Sequence, residues 1–299
     1  MIIEIIKAIL IGIVEGITEW LPISSTAHII LFNEIWPLNI SANPEATEAF
    51  FNMFKVVIQL GAIMAVIVLF FKKLNPFSAK KGKIEKKQTW DLWFKVIVAA
   101  LPSAVLGLLL DEWLENTVYD IPVFGIKLDI ILIAITLVLY GIAFIIVERS
   151  HKNTKLRVDD VHKIDYRTGF LIGAFQCLSL IPGTSRSGST ILGAILLGVS
   201  RPAAAEFSFF LAIPTMLGAS GLKIIDYIGE CMKPDGILPG LNEITVLLVG
   251  CVVSFIVSLL VIRGLMEYVR KRSFSAFAVY RIILAVVVMA YFLLKVTLF

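Results

Sequence analysis

Two short stretches of this chain place groups able to do acid–base and phosphate chemistry inside apolar sequence. EGITEWLPISSTAH occupies residues 15–28 and QCLSLIPGTSRSGST residues 176–190. In the first, Glu15 and Glu19 are four apart and share one helix face. Two carboxylates that close together in a low-dielectric site do not both ionise cheaply, so one holds a proton or a cation lies between them. Pro22 ends that helix, and Ser24, Ser25 or Thr26 can cap the next. His28 follows Ser25 by three residues, within reach of it as base or acid. In the second stretch Gln176 stands where the first has Glu15. Pro182 and Gly183 break the helix, and Thr184, Ser185, Arg186, Ser187 and Gly188 lead into a new one running toward Thr190. A hydroxyl-rich helix start with free N–H groups is an anion site, and the planar fork of Arg186 suits phosphate. Together these groups suit a diphosphate with a divalent cation, Mg or Ca, whose protein ligands would be Glu15 and Glu19.

Each feature also has a plainer reading. Hydroxyls at a helix start can be caps only, His28 can be a satisfied buried histidine, and Arg186 can snorkel to an interface. An i,i+4 carboxylate pair is ordinarily a solvated face. Here its neighbours are Ile13, Val14, Ile17, Trp20 and Leu21, and ionisable groups in such company are costly and usually functional. Arg201 and Glu206 flank the second stretch, where they either close it or line the site.

The elements that must position these groups are membrane helices. The chain has 299 residues, 58% of them hydrophobic and only 17% charged, with a mean hydropathy of +0.90. Residues 56–71, 96–110, 128–147, 207–225, 244–262 and 276–298 are nearly uncharged runs, most of them close to the roughly 20 residues that cross a bilayer. The expectation is a single all-α polytopic membrane domain over residues 1–299 with no soluble appendage. The first apolar run lacks a small-residue cleavage site, so no signal peptide is expected. Cys177, Cys231 and Cys251 show no metal-ligand spacing. The net charge of +4 sits in membrane-flanking loops, so no nucleic-acid partner is expected.

Loops 72–91, 148–167 and 263–275 carry seven, six and four Lys or Arg, whereas loops 32–48, 111–127 and 226–242 carry none, one and one. The positive-inside rule places the first set in the cytoplasm. Segment 168–199 then leaves the inside and returns to it, as a re-entrant hairpin, and residues 1–31 are its counterpart from the outside. Each half becomes one hairpin plus three spans, repeat one about 1–147 and repeat two about 168–298, in opposite orientation. LIGIVEG (10–16) matches LIGAFQC (171–177), and with one gap Pro22 matches Pro182 and Ser25 matches Ser185.

On these two motifs the chain resembles the undecaprenyl-diphosphate phosphatases, the bacitracin-resistance protein family. VVIQLGAIMAV (56–66), LLGVSR (196–201), EFSFFLAIPTMLGA (206–219) and YRIILA (280–285) are similar to further family segments in the same order. The resemblance implies hydrolysis of undecaprenyl diphosphate to undecaprenyl phosphate and inorganic phosphate. That recycles the lipid carrier for peptidoglycan and confers bacitracin resistance. It further implies a multi-pass protein of the bacterial plasma membrane, a site open to the outer face, and an inverted repeat. By position the acidic pair falls on Glu15 and Glu19, the serines on Ser24 and Ser25, the histidine on His28, and the second-motif residues on Ser185, Arg186 and Thr190. The expected catalytic set is therefore Ser25, His28, Glu19 and Glu15. Arg186, Ser185, Ser24, Thr26, Ser187, Thr190 and Gln176 are expected to bind substrate. Ser25 attacks phosphorus with His28 taking its proton, although metal-activated water fits the same residues. The sequence departs from the family pattern at Ala27, where glycine is usual, and at Lys55, where an acid is frequent; Lys55 is expected to attract the diphosphate. A polyprenyl transporter or flippase is the rival class, and the bilayer and a second copy in a homodimer are the remaining expected partners.

Overall fold

The computed structural model describes residues 1–41, 43–118, 121–123, 126–151, 158–233 and 238–298. Its helices are α1 (Ile2–Thr18), α2 (Ser25–Ile35), α3 (Pro44–Val57), α4 (Gln59–Leu69), α5 (Phe71–Leu74), α6 (Lys83–Val118), α7 (Leu128–His151), α8 (Tyr166–Gln176), α9 (Arg186–Leu196), α10 (Arg201–Cys231), α11 (Leu241–Lys271) and α12 (Ser275–Leu298). Two-residue strands Pro122–Val123 and Ile126–Lys127 pair between α6 and α7. The all-α expectation therefore holds, with this small ladder as the exception among the described residues.

Six stretches are long and apolar enough to cross a membrane: Pro44–Leu69, Lys83–Leu110, Leu128–Ser150, Arg201–Cys231, Leu241–Lys271 and Ser275–Thr297. They coincide with the six apolar runs but extend several of them. The first span reaches back to Pro44 because Asn43 caps α3, its side chain accepting from Glu45 N at 2.8 Å, with proline at the first helical position. Lys83, Lys86 and Lys87, read as loop, are the first turns of α6. At the other end α6 continues to Val118, into what was expected to be loop. Residues 152–157 of the basic loop 148–167 lie outside the described residues.

The polar motifs fall on short elements. α2, α8 and α9 have 11 residues each, about 16 Å of helix, which is half a hydrocarbon core. The breaks between α1 and α2 and between α8 and α9 are short turns and one 3₁₀ segment, Cys177–Leu180. Helix α1 packs along α11, α8 along α6, and α7 along α12. The α8–α6 approach depends on Gly173, where an added Cβ would lie 1.8 Å from the Ala99 carbonyl oxygen. Gly61 of α4 stands likewise, 2.0 Å from the Cys251 carbonyl oxygen of α11. Gly173→Ala is expected to destabilise the protein by about 2 kcal/mol despite a helix-propensity gain of about 1 kcal/mol. Thermal unfolding in detergent measures this, and an unchanged midpoint would contradict the close packing.

At the cytoplasm-assigned end, Glu148 receives both Arg201, at 2.5 Å, and the Phe274 backbone N–H, at 3.0 Å. Glu206 pairs with Lys73 at 2.6 Å. Arg201 and Glu206 therefore tie helices together and do not line the site.

Candidate active site

The two helix breaks meet. Ser187 Oγ, in the first turn of α9, donates to the backbone oxygen of Glu19 at 2.9 Å and lies 3.2 Å from that of Leu21. Arg281, on α12 and fully buried, donates from Nη1 to Pro22 O at 2.9 Å and from Nη2 to Gly183 O at 3.3 Å. One guanidinium thus holds a carbonyl from each break, and its planar face lies over Tyr140, 5.1 Å from the ring centroid. Gly188 leaves room for it, since a Cβ there would come within 2.9 Å of Arg281 Nη1. Gly183, at φ 81°, passes under α7, where a side chain would meet Thr136 and Ile133. Thr136 Oγ1 lies 3.0 Å from the oxygens of both Pro182 and Ile133.

Ser24 and Ser185 take the two cap positions. Ser24 Oγ accepts from Ala27 N at 3.4 Å and Ser185 Oγ from Gly188 N at 3.0 Å. Sequence spacing pairs Ser25 with Ser185, but by place in the helix Ser24 corresponds to Ser185 and Ser25 to Arg186. Ser24 sits at φ 71° and ψ 91°, a region costly for a non-glycine residue and held only where its surroundings impose it. The carbonyl of this residue accepts from His28 Nδ1 at 2.7 Å.

At this junction Ser25, Glu19 and Arg186 form a chain. Ser25 Oγ donates to Glu19 Oε2 at 2.6 Å, and Arg186 Nη2 donates to Glu19 Oε1 at 2.9 Å. Glu19 is buried and the Arg186 side chain nearly so. Arg186 is also fixed by Nη1, which donates to the Ser208 carbonyl at 2.8 Å. Its Nε is buried with no hydrogen-bond partner among the described residues. Ser208 is in turn bonded to Thr190, with 2.6 Å between the hydroxyl oxygens. Glu15, one turn before Glu19, is fully buried, and both its carboxylate oxygens lack hydrogen-bond partners among the described residues.

The contacts of the expected site residues are as follows. Among the described residues the hydrogen-bond partners of the His28 ring are the Ser24 carbonyl and Tyr280, not the Ser25 hydroxyl. The ring Nε2 faces Tyr280 OH at 2.7 Å, with the rings stacked 5.7 Å apart. Because Nδ1 gives its proton to a carbonyl, a neutral His28 accepts from Tyr280 at Nε2. The hydrogen-bond acceptor of the Ser25 hydroxyl is Glu19. Thr26 is exposed, because the cap at Ser24 sets a helix phase that turns it away from the break. Gln176 Nε2 donates to Ser103 Oγ at 2.5 Å on α6, and its Oε1 is buried with no hydrogen-bond partner among the described residues. Thr190 acts through Ser208. Ser185 and Ser187, 3.0 Å apart, do line the junction. Lys55 lies on α3 with Nζ on Asn52 at 2.7 Å and over the Phe51 ring. Sequence reading missed Arg281, Tyr280, Tyr140 and Ser208. For Arg281 the signal was present, a lone guanidinium in an apolar span.

The residues were tested for a divalent cation. Among the described residues no cluster of three or more His, Cys, Asp or Glu could enclose one. The unpartnered Glu15 carboxylate does suit a magnesium-like mode, in which one or two carboxylates suffice and substrate phosphates and water supply the rest.

Known proteins resemble this chain over most of its length. The family described as bacitracin resistance protein BacA matches residues 8–287. A Limosilactobacillus fermentum protein named undecaprenyl-diphosphatase is 50% identical over 97% of this chain and 98% of its own length. Proteins of the same name from Enterococcus faecalis, 50% identical over 96% and 97% of the two chains, and Streptococcus mutans, 51% identical over 98% of each, are similar to it as well. With most of its length matched by that family and half its residues shared with these relatives, the chain belongs to the bacitracin resistance protein BacA family.

Proposed function

We infer that the protein hydrolyses undecaprenyl diphosphate to undecaprenyl phosphate and inorganic phosphate in a bacterial membrane that its helices cross several times. The observation that carries this reading is the Ser25–Glu19–Arg186 chain at the junction of the two breaks. Arg186 holds the diphosphate through its fork and its free Nε–H. Ser25 Oγ attacks the terminal phosphorus, a new O–P bond forms, and its proton passes to Glu19. The bond to the bridging oxygen breaks, and undecaprenyl phosphate leaves with the proton that Glu19 received. Water, giving its proton to the freed Glu19 carboxylate, then attacks the phosphoserine phosphorus; the bond to Ser25 Oγ breaks, Glu19 returns the proton to Oγ, and inorganic phosphate leaves. Phosphoryl transfer asks mainly for positioning and charge neutralisation, and Arg281 and the α9 start add positive potential at the same point. A divalent cation held by Glu15, with Glu19 beside it, would neutralise diphosphate charge. His28 keeps the Ser24 turn that presents Ser25.

The reciprocal packing of α1 on α11 and α8 on α6 supports the inverted-repeat reading, and the alternation of basic loops supports the orientation of the spans; a site open to the outer face is what the family resemblance implies. Protein purified in detergent is expected to release phosphate from undecaprenyl diphosphate without any gradient, and a chelator is expected to lower the rate at least about tenfold. No release at all would favour the transporter class. Release untouched by chelator would remove the cation alone.

A further inference from the structure

Each break delivers one group to the site. Ser25 follows Pro22 by three residues in the first break, and Arg186 follows Gly183 by three in the second. The backbone oxygens of Pro22 and Gly183 are the two that Arg281 holds, at 2.9 and 3.3 Å. Its fork thus spans the junction at equivalent points of the two breaks. The guanidinium is itself fixed from α7 and α9. It lies over Tyr140, whose hydroxyl is 3.1 Å from Ser189 Oγ, and it fills the space that Gly188 leaves. Arg281 is fully buried, its Nε has no hydrogen-bond partner, and no carboxylate pairs with it, among the described residues. A buried cation without a counter-ion is costly. An apolar residue would pack α12 at less cost, so what this arginine supplies is the two-pronged contact.

We propose that Arg281 is a positioning residue, which sets the distance between Ser25 and Arg186 by holding both breaks on one rigid fork. The proposal rests on the hydrolase reading above. The other bonds across the junction come from the site itself, Arg186 to Glu19 and Ser187 to the Glu19 backbone. Arg186 must share its donors with a diphosphate, whereas Arg281 is out of substrate's reach and keeps its bonds throughout the reaction. A misplacement of about 1 Å between reacting groups costs roughly a hundredfold in rate.

The test is kcat and KM for undecaprenyl diphosphate, per folded protein in one detergent. Arg281→Lys keeps the charge, but a single ammonium does not reproduce the planar fork. It is expected to lower kcat about a hundredfold with KM within about threefold. Gly188→Ala, whose added Cβ would lie 2.9 Å from Arg281 Nη1, pushes the guanidinium aside. It is expected to lower kcat about tenfold at unchanged KM, and to add nothing in the Arg281→Lys background, because the two act through one contact. Arg201→Lys, at the Glu148 tie, is expected to leave kcat unchanged. Wild-type kcat in Arg281→Lys overturns the proposal. So does a loss carried by KM, losses that add in the double variant, or an equal loss in Arg201→Lys. Should Arg281→Lys fail to fold, Gly188→Ala decides alone, and wild-type kcat there overturns the proposal. A wild-type protein that releases no phosphate refutes the hydrolase reading itself, an outcome distinct from an active enzyme indifferent to Arg281.

Discussion

Ser25→Ala is expected to lower phosphate release from undecaprenyl diphosphate by about a thousandfold or more, with little change in KM. Removing a nucleophile takes away an interaction made only as the reaction proceeds. The Ser25 hydroxyl is buried, points at a carboxylate 2.6 Å away and caps nothing, since the cap is Ser24. The substitution therefore removes the reacting oxygen and leaves the helix start intact, and the variant should unfold at the wild-type temperature. Turnover within tenfold of wild type would make Ser25 a bystander and would favour direct attack by water.

Arg186→Ala is expected to cost roughly three orders of magnitude in kcat/KM, as losses of an arginine that neutralises a transferring phosphoryl group do. Here the loss has two parts. The diphosphate loses its planar clamp, and Glu19 loses the ion pair that holds it at 2.9 Å, leaving a buried carboxylate unpaired. Arg186→Lys separates them. A lysine restores charge for Glu19 but cannot reproduce the fork or the Nε–H. It is expected to recover stability ahead of activity, with KM still raised. Full recovery of both by lysine would reduce Arg186 to a counter-ion.

The chemistry of the site was legible because Glu15, Glu19 and Arg186 stand out from apolar sequence, where ionisable groups are seldom idle. Their partnerships were less legible. Spacing put His28 three residues from Ser25, but in the first turn of α2 its ring turns back to the Ser24 carbonyl, a contact that depends on the left-handed backbone at Ser24 that no pattern announces. Thr26 carries the right chemistry, yet of the three possible caps it is Ser24 that takes the position, and Thr26 is exposed. Gln176 occupies the place of Glu15 in its own stretch but sits against α6, where Ser103 takes its donor. Arg281 lies far along the chain from both motifs, and only the meeting of the two breaks gives it meaning. Span limits shifted for a simpler reason. Lysines read as loop are also good helix formers, so α6 begins inside the basic stretch.

The central claim is that Ser25, deprotonated by Glu19, carries the phosphoryl group. Rapid acid quench of the purified protein mixed with undecaprenyl diphosphate labelled at its terminal phosphorus measures this within the first turnover. The label is expected on Ser25, appearing before free phosphate and absent in Glu19→Gln. Free phosphate formed at the normal rate, with no label on Ser25 at any time, would contradict it.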